Sequence, residues 1–217
     1  NLKQIQIAQF ALYTPDRSMV LEAPLTIRHL ENPAQRTIKA DIRNLQITSA
    51  GLKQLSEWTS NDKISILPYL QAIGRLEATG DLSYRSQYLK SHLNLHTDLG
   101  SMTLSGSFAK GNEIEAEVHT PGFQLGKLTG REEQFGETAF DLSGKGLLRS
   151  GAYPVLSLQG TIGRLSYNHY DYHDITVDVD YRKGGFAGNV NINDPHLALT
   201  TKGEVNLHSS TPYIKAE

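Results

Sequence analysis

Hydrophobic residues recur at every second position over most of this chain, and that period limits what it can fold into more than any other feature. From residue 89 to 99 the odd positions read Leu89, Ser91, Leu93, Leu95, Thr97 and Leu99, while the even positions read Lys90, His92, Asn94, His96 and Asp98. Successive side chains of a strand point to opposite faces, so the run gathers its apolar set on one face. The pattern returns in Met102, Leu104, Gly106 and Phe108, then in Ile114, Ala116 and Val118, and again in Leu156, Leu158, Gly160 and Ile162. It continues through Ile175, Val177, Val179 and Tyr181, through Phe186, Gly188, Val190 and Ile192, and through Leu197, Leu199, Thr201, Gly203, Val205 and Leu207.

Short turn signals separate these runs: Lys110-Gly111-Asn112, Lys183-Gly184-Gly185 and Asn193-Asp194-Pro195. Connections this short join antiparallel neighbours, because a parallel crossover needs about a dozen residues. The N-terminal third also reads as strands, around Ile5, Ile7, Phe10, Leu12, Leu25, Ile27, Ile38, Ala40 and Ile42. One short helix is expected near residues 49–58, with Ser49 as N-cap and Leu52, Leu55 and Trp58 three apart. Residues 64–70, broken by Pro68, fit neither pattern. The Gly- and charge-rich stretch 120–136 is the expected seam between a first β-repeat region (1–120) and a second (121–217) continuous with it.

The two regions resemble each other. Gly80-Asp81-Leu82-Ser83-Tyr84 matches Gly163-Arg164-Leu165-Ser166-Tyr167, and a second tyrosine follows each, Tyr88 and Tyr170. Leu104, Gly106 and Phe108 match Phe186, Gly188 and Val190 in the same order. Repeats built from strands point to an extended architecture in which each unit packs on its neighbours.

Composition excludes several function classes. The 217 residues carry a formal net charge of −2, so bulk charge draws the chain to neither a nucleic acid nor an anionic membrane. There is no cysteine, which removes disulfides, thiolate metal sites and cysteine nucleophiles. No apolar run is long enough to span a membrane, and the first residues lack a signal-peptide pattern. The abrupt start suggests a piece of a longer protein.

No phosphate loop, nucleophile elbow or metalloprotease motif occurs. His92 and His96 sit four apart on a strand, about 13 Å, too far for one ion. His169, Asp171 and His173 would stand about 7 Å apart if extended and would share an ion only across a bulge. Asp178 and Asp180, like Glu113, Glu115 and Glu117, read as a solvated face that keeps the sheet soluble. No catalytic residue, metal or cofactor is therefore expected.

A single-layer sheet cannot leave its dry face in water. It can close as a filled sandwich or barrel, fold into a trough for an apolar ligand, or dock on a partner. The candidate lining residues are Leu89, Leu93, Leu95, Leu99, Leu104, Phe108, Ile114, Val118, Leu156, Leu158, Ile162, Ile175, Val177, Val179, Phe186, Val190, Ile192, Leu197, Leu199, Val205 and Leu207.

Several segments resemble the long β-repeat proteins of the AsmA-like superfamily, and in particular the TamB-like (translocation and assembly module B) family. In the first copy these are residues 73–80, Leu93-Asn94-Leu95-His96-Thr97, Leu104-Ser105-Gly106-Ser107-Phe108 and Phe123-Gln124-Leu125-Gly126. In the second they are residues 160–167, Tyr170-Asp171-Tyr172, Ile175-Thr176-Val177, residues 185–188 and Asn193-Asp194-Pro195. The resemblance implies an all-β, elongated, curved, mainly antiparallel sheet (a β-taco) from the middle of a longer protein. It implies a periplasmic location, anchored to the inner membrane of a diderm bacterium. It implies phospholipid or other acyl-chain ligands, a role in outer-membrane protein assembly with a barrel partner, and no catalysis. The alternative is a β-sandwich or solenoid that serves as a spacer or surface-interaction module without ligand.

Overall fold

The computed structural model describes residues 4–59, 71–148, 154–182, 185–206 and 213–216. They form one antiparallel 15-stranded sheet. The strands are β1 (Gln4–Ile7), β2 (Ala11–Tyr13), β3 (Met19–Glu22), β4 (Leu25–Arg28), β5 (Thr37–Ile47), β6 (Leu76–Arg85), β7 (Tyr88–Thr97) and β8 (Gly100–Ala109). They continue as β9 (Glu113–Gln124), β10 (Phe135–Leu147), β11 (Val155–Tyr167), β12 (Tyr170–Arg182), β13 (Gly185–Asp194), β14 (Leu197–Asn206) and β15 (Tyr213–Ala216). From β5 to β15 every strand pairs with its neighbours in sequence, as the short turns require. β3 and β4 are one strand interrupted at Ala23-Pro24, each pairing half of β5.

The meander gives the sheet two long edges. The connections 29–36, 86–87 and 110–112 lie along the upper edge, and 14–18, 98–99, 125–134 and 168–169 along the lower. Three short helical pieces belong to the lower edge: α1 (Ser49–Thr59), helical residues 71–73 (α2) and α3 (Leu125–Thr129). The sequence pattern led to only one. The α1 cap is Thr48 rather than Ser49: its Oγ1 accepts from the Gly51 N–H at 3.4 Å. Residues 64–70 lie outside the described residues. At the expected seam the sheet does not break, because β9 and β10 pair from Phe123–Thr138 to Glu113–Leu147.

The sheet remains a single, open, curled layer. Its accessible surface is 14094 Å². A compact protein of 24.0 kDa exposes about 9,900 Å² by mass scaling, so a large share of apolar surface has no second layer over it.

A line of backbone irregularities crosses the sheet at one level. It runs through the Ala23-Pro24 break and a register shift between Ile42 and Leu45 on β5. Further shifts follow on β9, where residues 119–123 run one longer than the facing residues 101–103 of β8 and 138–140 of β10, and on β11, where residues 162–164 face residues 139–140. It ends at Asp174 of β12, whose φ is 49°. Each bulge inserts a residue and bends its strand, so bulges in register crease the sheet. The core follows this crease. Ala23, Ile42, Ile47, Leu52, Ala78, Leu99, Phe123 and Ile175 form this core and lie at the crease or below it; Pro154 is buried apart from them, at the upper edge.

The internal repeat maps strand for strand, β6 to β9 onto β11 to β14, but its copies point in opposite directions. Both hairpins turn through two residues of positive φ, Ser86-Gln87 (51°, 67°) and Asn168-His169 (47°, 66°). The first turn lies on the upper edge and the second on the lower, because five strands, an odd number, separate the copies. The repeat is turned end for end within the sheet rather than translated along it.

Candidate functional site

Above the crease, strand register assembles the alternating residues into rows that cross the sheet. The uppermost row runs Tyr84, Leu89, Phe108, Ile114, Gly146, Leu156, Tyr181, Phe186 and Val205, each opposite the next. Four positions below it on each strand runs Leu93, Leu104, Val118, Leu142, Gly160, Val177 and Val190. Between them lies a row of smaller residues, Ser91, Gly106, Ala116 and Gly144, bounded by Leu82 on β6 and Leu158 on β11. With strands about 4.8 Å apart, this furrow spans about 24 Å between its bounding leucines. No residue of these three rows carries a charge. Leu93, Leu104, Val118, Leu142, Leu158, Val177, Val179 and Val190 are half-buried, and Leu89, Phe108 and Phe186 on the upper row are exposed.

The predicted lining residues therefore separate by level. Leu89, Phe108, Ile114, Leu156 and Phe186 stand on the upper row, and Leu93, Leu104, Val118, Val177 and Val190 on the third. Leu158 and Val179 continue the furrow row. Leu95, Ile162 and Ile192 lie one row lower, with exposed Leu199. Leu99 and Ile175 belong to the crease core, each only 3% exposed, and Leu197 sits at the lower turn opposite Asp194. Leu207 and the side chain of Val205 lie outside the described residues.

The alternation did not mark Leu82, Leu142 or Tyr84 as part of this face. On β10, Gly144 and Gly146 occupy the apolar positions after Leu142 and hide the period.

The opposite face is mostly polar, with Ala109, Leu147, Val155 and Ala187 as exceptions, and two concavities open on it. One of about 520 Å³ lies among Glu77, Thr79, Asn94, His96, Ser101, Thr103 and His119, with Leu45, Ala78, Leu95, Met102 and Pro121 also in its lining. A second of about 270 Å³ lies among Glu115, Glu117, Ser143, Lys145, Ser157 and Gln159. The histidines serve local bonds: His92 Nδ1 with Ser105 Oγ at 2.8 Å, His96 Nδ1 with Ser101 Oγ at 2.6 Å, and His119 with Asp141. Among the described residues no three His, Asp or Glu side chains converge as a metal site would need.

The densest polar cluster pins the lower turns of β12 to β14. The buried carboxylate of Asp194 accepts from the Tyr170 hydroxyl at 2.8 Å, the His196 N–H at 2.8 Å and the His173 N–H at 3.0 Å. Burial opposes its charge, but the His196 N–H, the Tyr170 hydroxyl and the His173 N–H outweigh that and hold its pKa below the ordinary value. The same carboxylate, accepting the phenol proton, pushes Tyr170 up to about 12. His196 Nδ1 completes the cluster, 2.6 Å from the Tyr170 oxygen. Asp194 thus has a structural task, tying the ends of two hairpins together.

No family model, curated protein or solved structure matches this chain.

Proposed function

We propose that the upper apolar face is a binding surface for acyl chains, and that the protein is a non-enzymatic carrier of apolar ligands of the TamB-like kind. The observation that carries this reading is the uncharged, registered face above the crease, left half-exposed while the core forms elsewhere. A methylene leaving water for such a face gains about 0.8 kcal/mol, so a chain laid across several strands binds without a specific polar contact. Successive rows look alike, so the face selects little by head group and a bound chain slides. The furrow Ser91, Gly106, Ala116, Gly144 is the best path, because larger residues rise on both sides of it.

In this reading the chain belongs to a longer periplasmic protein that works between the two membranes of a diderm bacterium. It passes phospholipid or assists outer-membrane protein assembly with a barrel partner. The resemblance in residues 73–126 and 160–195 supports the compartment and the partner.

The test is mass spectrometry of lipids that co-purify with the chain, with photo-crosslinking from position 104. Lipid should be recovered from the unaltered chain and lost in Val177→Asp. Gly106→Leu fills the furrow: a Cβ at Gly106 lies 3.2 Å from the Glu115 carbonyl oxygen, so that strand must give by a few tenths of an ångström, and circular dichroism checks that the fold is kept. Crosslinking unchanged in folded Val177→Asp and Gly106→Leu proteins would leave a spacer as the better reading.

A further inference from the structure

Large apolar side chains and basic side chains meet along one edge of the sheet. Tyr84, Tyr88, Leu89, Phe108, Leu148 and Phe186 are exposed large apolar residues of the upper edge, whereas Leu12, Tyr13 and Tyr167 are exposed toward the lower one, so what distinguishes the upper edge is the charge beside its rings. The described turns of the same edge and the strand ends beside them carry Arg28, Arg36, Arg85, Lys110 and Arg182 against Glu31 and Glu113. The lower edge is close to balance, with Asp16, Asp98, Glu132, Glu133 and Asp194 against Arg17, Lys53, Arg75, Lys127 and Arg131. The upper edge is thus net basic in a chain whose net charge is −2. Arg182 is paired to Asp180 at 3.2 Å but stays exposed, and the Lys90 ammonium lies 5.5 Å from the Tyr88 ring centre.

We propose that the upper edge docks on an anionic lipid surface. Tyrosine with Lys or Arg is the side-chain set of the membrane–water interface: the ring or stem enters the headgroup boundary and the charge stays at the phosphates. The exposed apolar residues lie within two positions of the turns, which matches the shallow depth, about 5–10 Å, at which interfacial elements sit. The turns are short, so their unpaired backbone groups remain among hydrated headgroups rather than in hydrocarbon. An acidic protein would satisfy the arginines but would give the row of exposed rings and leucines no apolar phase, so lipid fits better. The inference rests on the edge alone and not on acyl-chain binding by the face.

The experiment is co-sedimentation of the full chain with phosphatidylcholine vesicles, with and without one-third phosphatidylglycerol. Binding should require the anionic lipid and fall as salt is raised. Each basic charge removed at the edge should weaken partitioning about fivefold. Arg85→Glu with Lys110→Glu should therefore abolish binding, and Phe108→Ser with Phe186→Ser should reduce it at least tenfold. Arg131→Glu on the lower edge should leave it unchanged. Should the double variants misfold, Lys110→Gln alone carries the charge test, checked by circular dichroism. Equal binding to both vesicle types, equal loss on altering either edge, or capture by polyglutamate beads without vesicle binding would each overturn the proposal. Val177→Asp separates the two readings, because it should block acyl-chain crosslinking and leave vesicle binding intact.

Discussion

Leu89 and Leu99 belong to the same alternating run, yet the structure gives them different work, and paired alanine substitutions measure the difference. Leu99 is 3% exposed at the turn between β7 and β8, where its carbonyl accepts from the Gln124 N–H at 2.8 Å. Leu89 is 37% exposed on the upper row. Leucine to alanine removes three carbons, about 2.4 kcal/mol of transfer free energy at full burial. At Leu99 a cavity term adds to this, because surrounding atoms close only partly, and the expected loss is about 3 kcal/mol. At Leu89 about three-fifths of the transfer applies and no cavity is left because solvent fills the space, so the expected loss is about 1.4 kcal/mol. The gap of about 1.6 kcal/mol is readable as a shift of urea midpoint by circular dichroism with the slope held constant. Strands of a meander touch only their neighbours, so amide exchange should localise the effect: Leu99→Ala deprotects β7 to β9, and Leu89→Ala barely changes them. Equal losses at the two sites would refute the placement of the core along the crease.

Two further substitutions test the crease and the lower turns. Gly80 has φ of 135°, and a Cβ there would lie 2.1 Å from the His92 carbonyl oxygen, so Gly80→Ala should cost about 2–3 kcal/mol in thermal unfolding, whereas Gly106→Ala should cost less than 1. Asp194→Asn should return the Tyr170 titration from about 12 toward 10, seen as a shifted component in the ultraviolet titration of tyrosine; an unchanged titration would discount the hydrogen bond. The two pKa shifts set the stability of these turns at opposite ends of the pH scale. Asp194 has a lowered folded pKa, so its contribution is present above the ordinary carboxylate range and is lost as pH falls through the lowered value. Tyr170 has a raised one, so its contribution holds below about 10 and is lost as pH rises toward 12.

The strands between residues 88 and 206 were largely legible, because alternation with Gly or Asn at many of the turns leaves little else for them to form, while β6 entered only through the match of residues 80–84 to residues 163–167. β10 was not legible, since glycines 144 and 146 take the apolar positions and remove the contrast on which the period depends. The crease was present as a different signal, a change of parity. Ile42 to Leu45, Thr120 to Phe123, Ile162 to Leu165 and Tyr172 to Ile175 are each separated by three residues where the strand period calls for two. Taken singly, each spacing looks like noise in a degenerate pattern. Pairing register is what places the breaks at one level, and register is a property of neighbouring strands. The site divides in the same way: alternation named the apolar face, but nothing local separates Leu99 and Ile175, which hold the fold, from Leu93 and Val177, which face outward.

That separation explains how a one-layer sheet can keep an apolar face open. In a flat sheet all dry-face residues would be similarly exposed, and none would lose enough water contact to stabilise the chain. Creasing brings the lower flank and its helices against the strands, and a narrow band of residues becomes fully buried. Thr97, Thr120 and Thr138 lie in that band as well. Their hydroxyls are satisfied by backbone carbonyls, Thr120 to Ser101 at 2.8 Å, Thr97 to Gly100 at 2.9 Å and Thr138 to Arg164 at 3.0 Å. The bonds of Thr120 and Thr138 cross between strands at the bulges, where ladder bonds are disrupted, so they restore part of what the bulges remove. Stability is thereby concentrated below the face proposed to bind, and the rows above it are free to vary in side-chain size without unfolding the sheet.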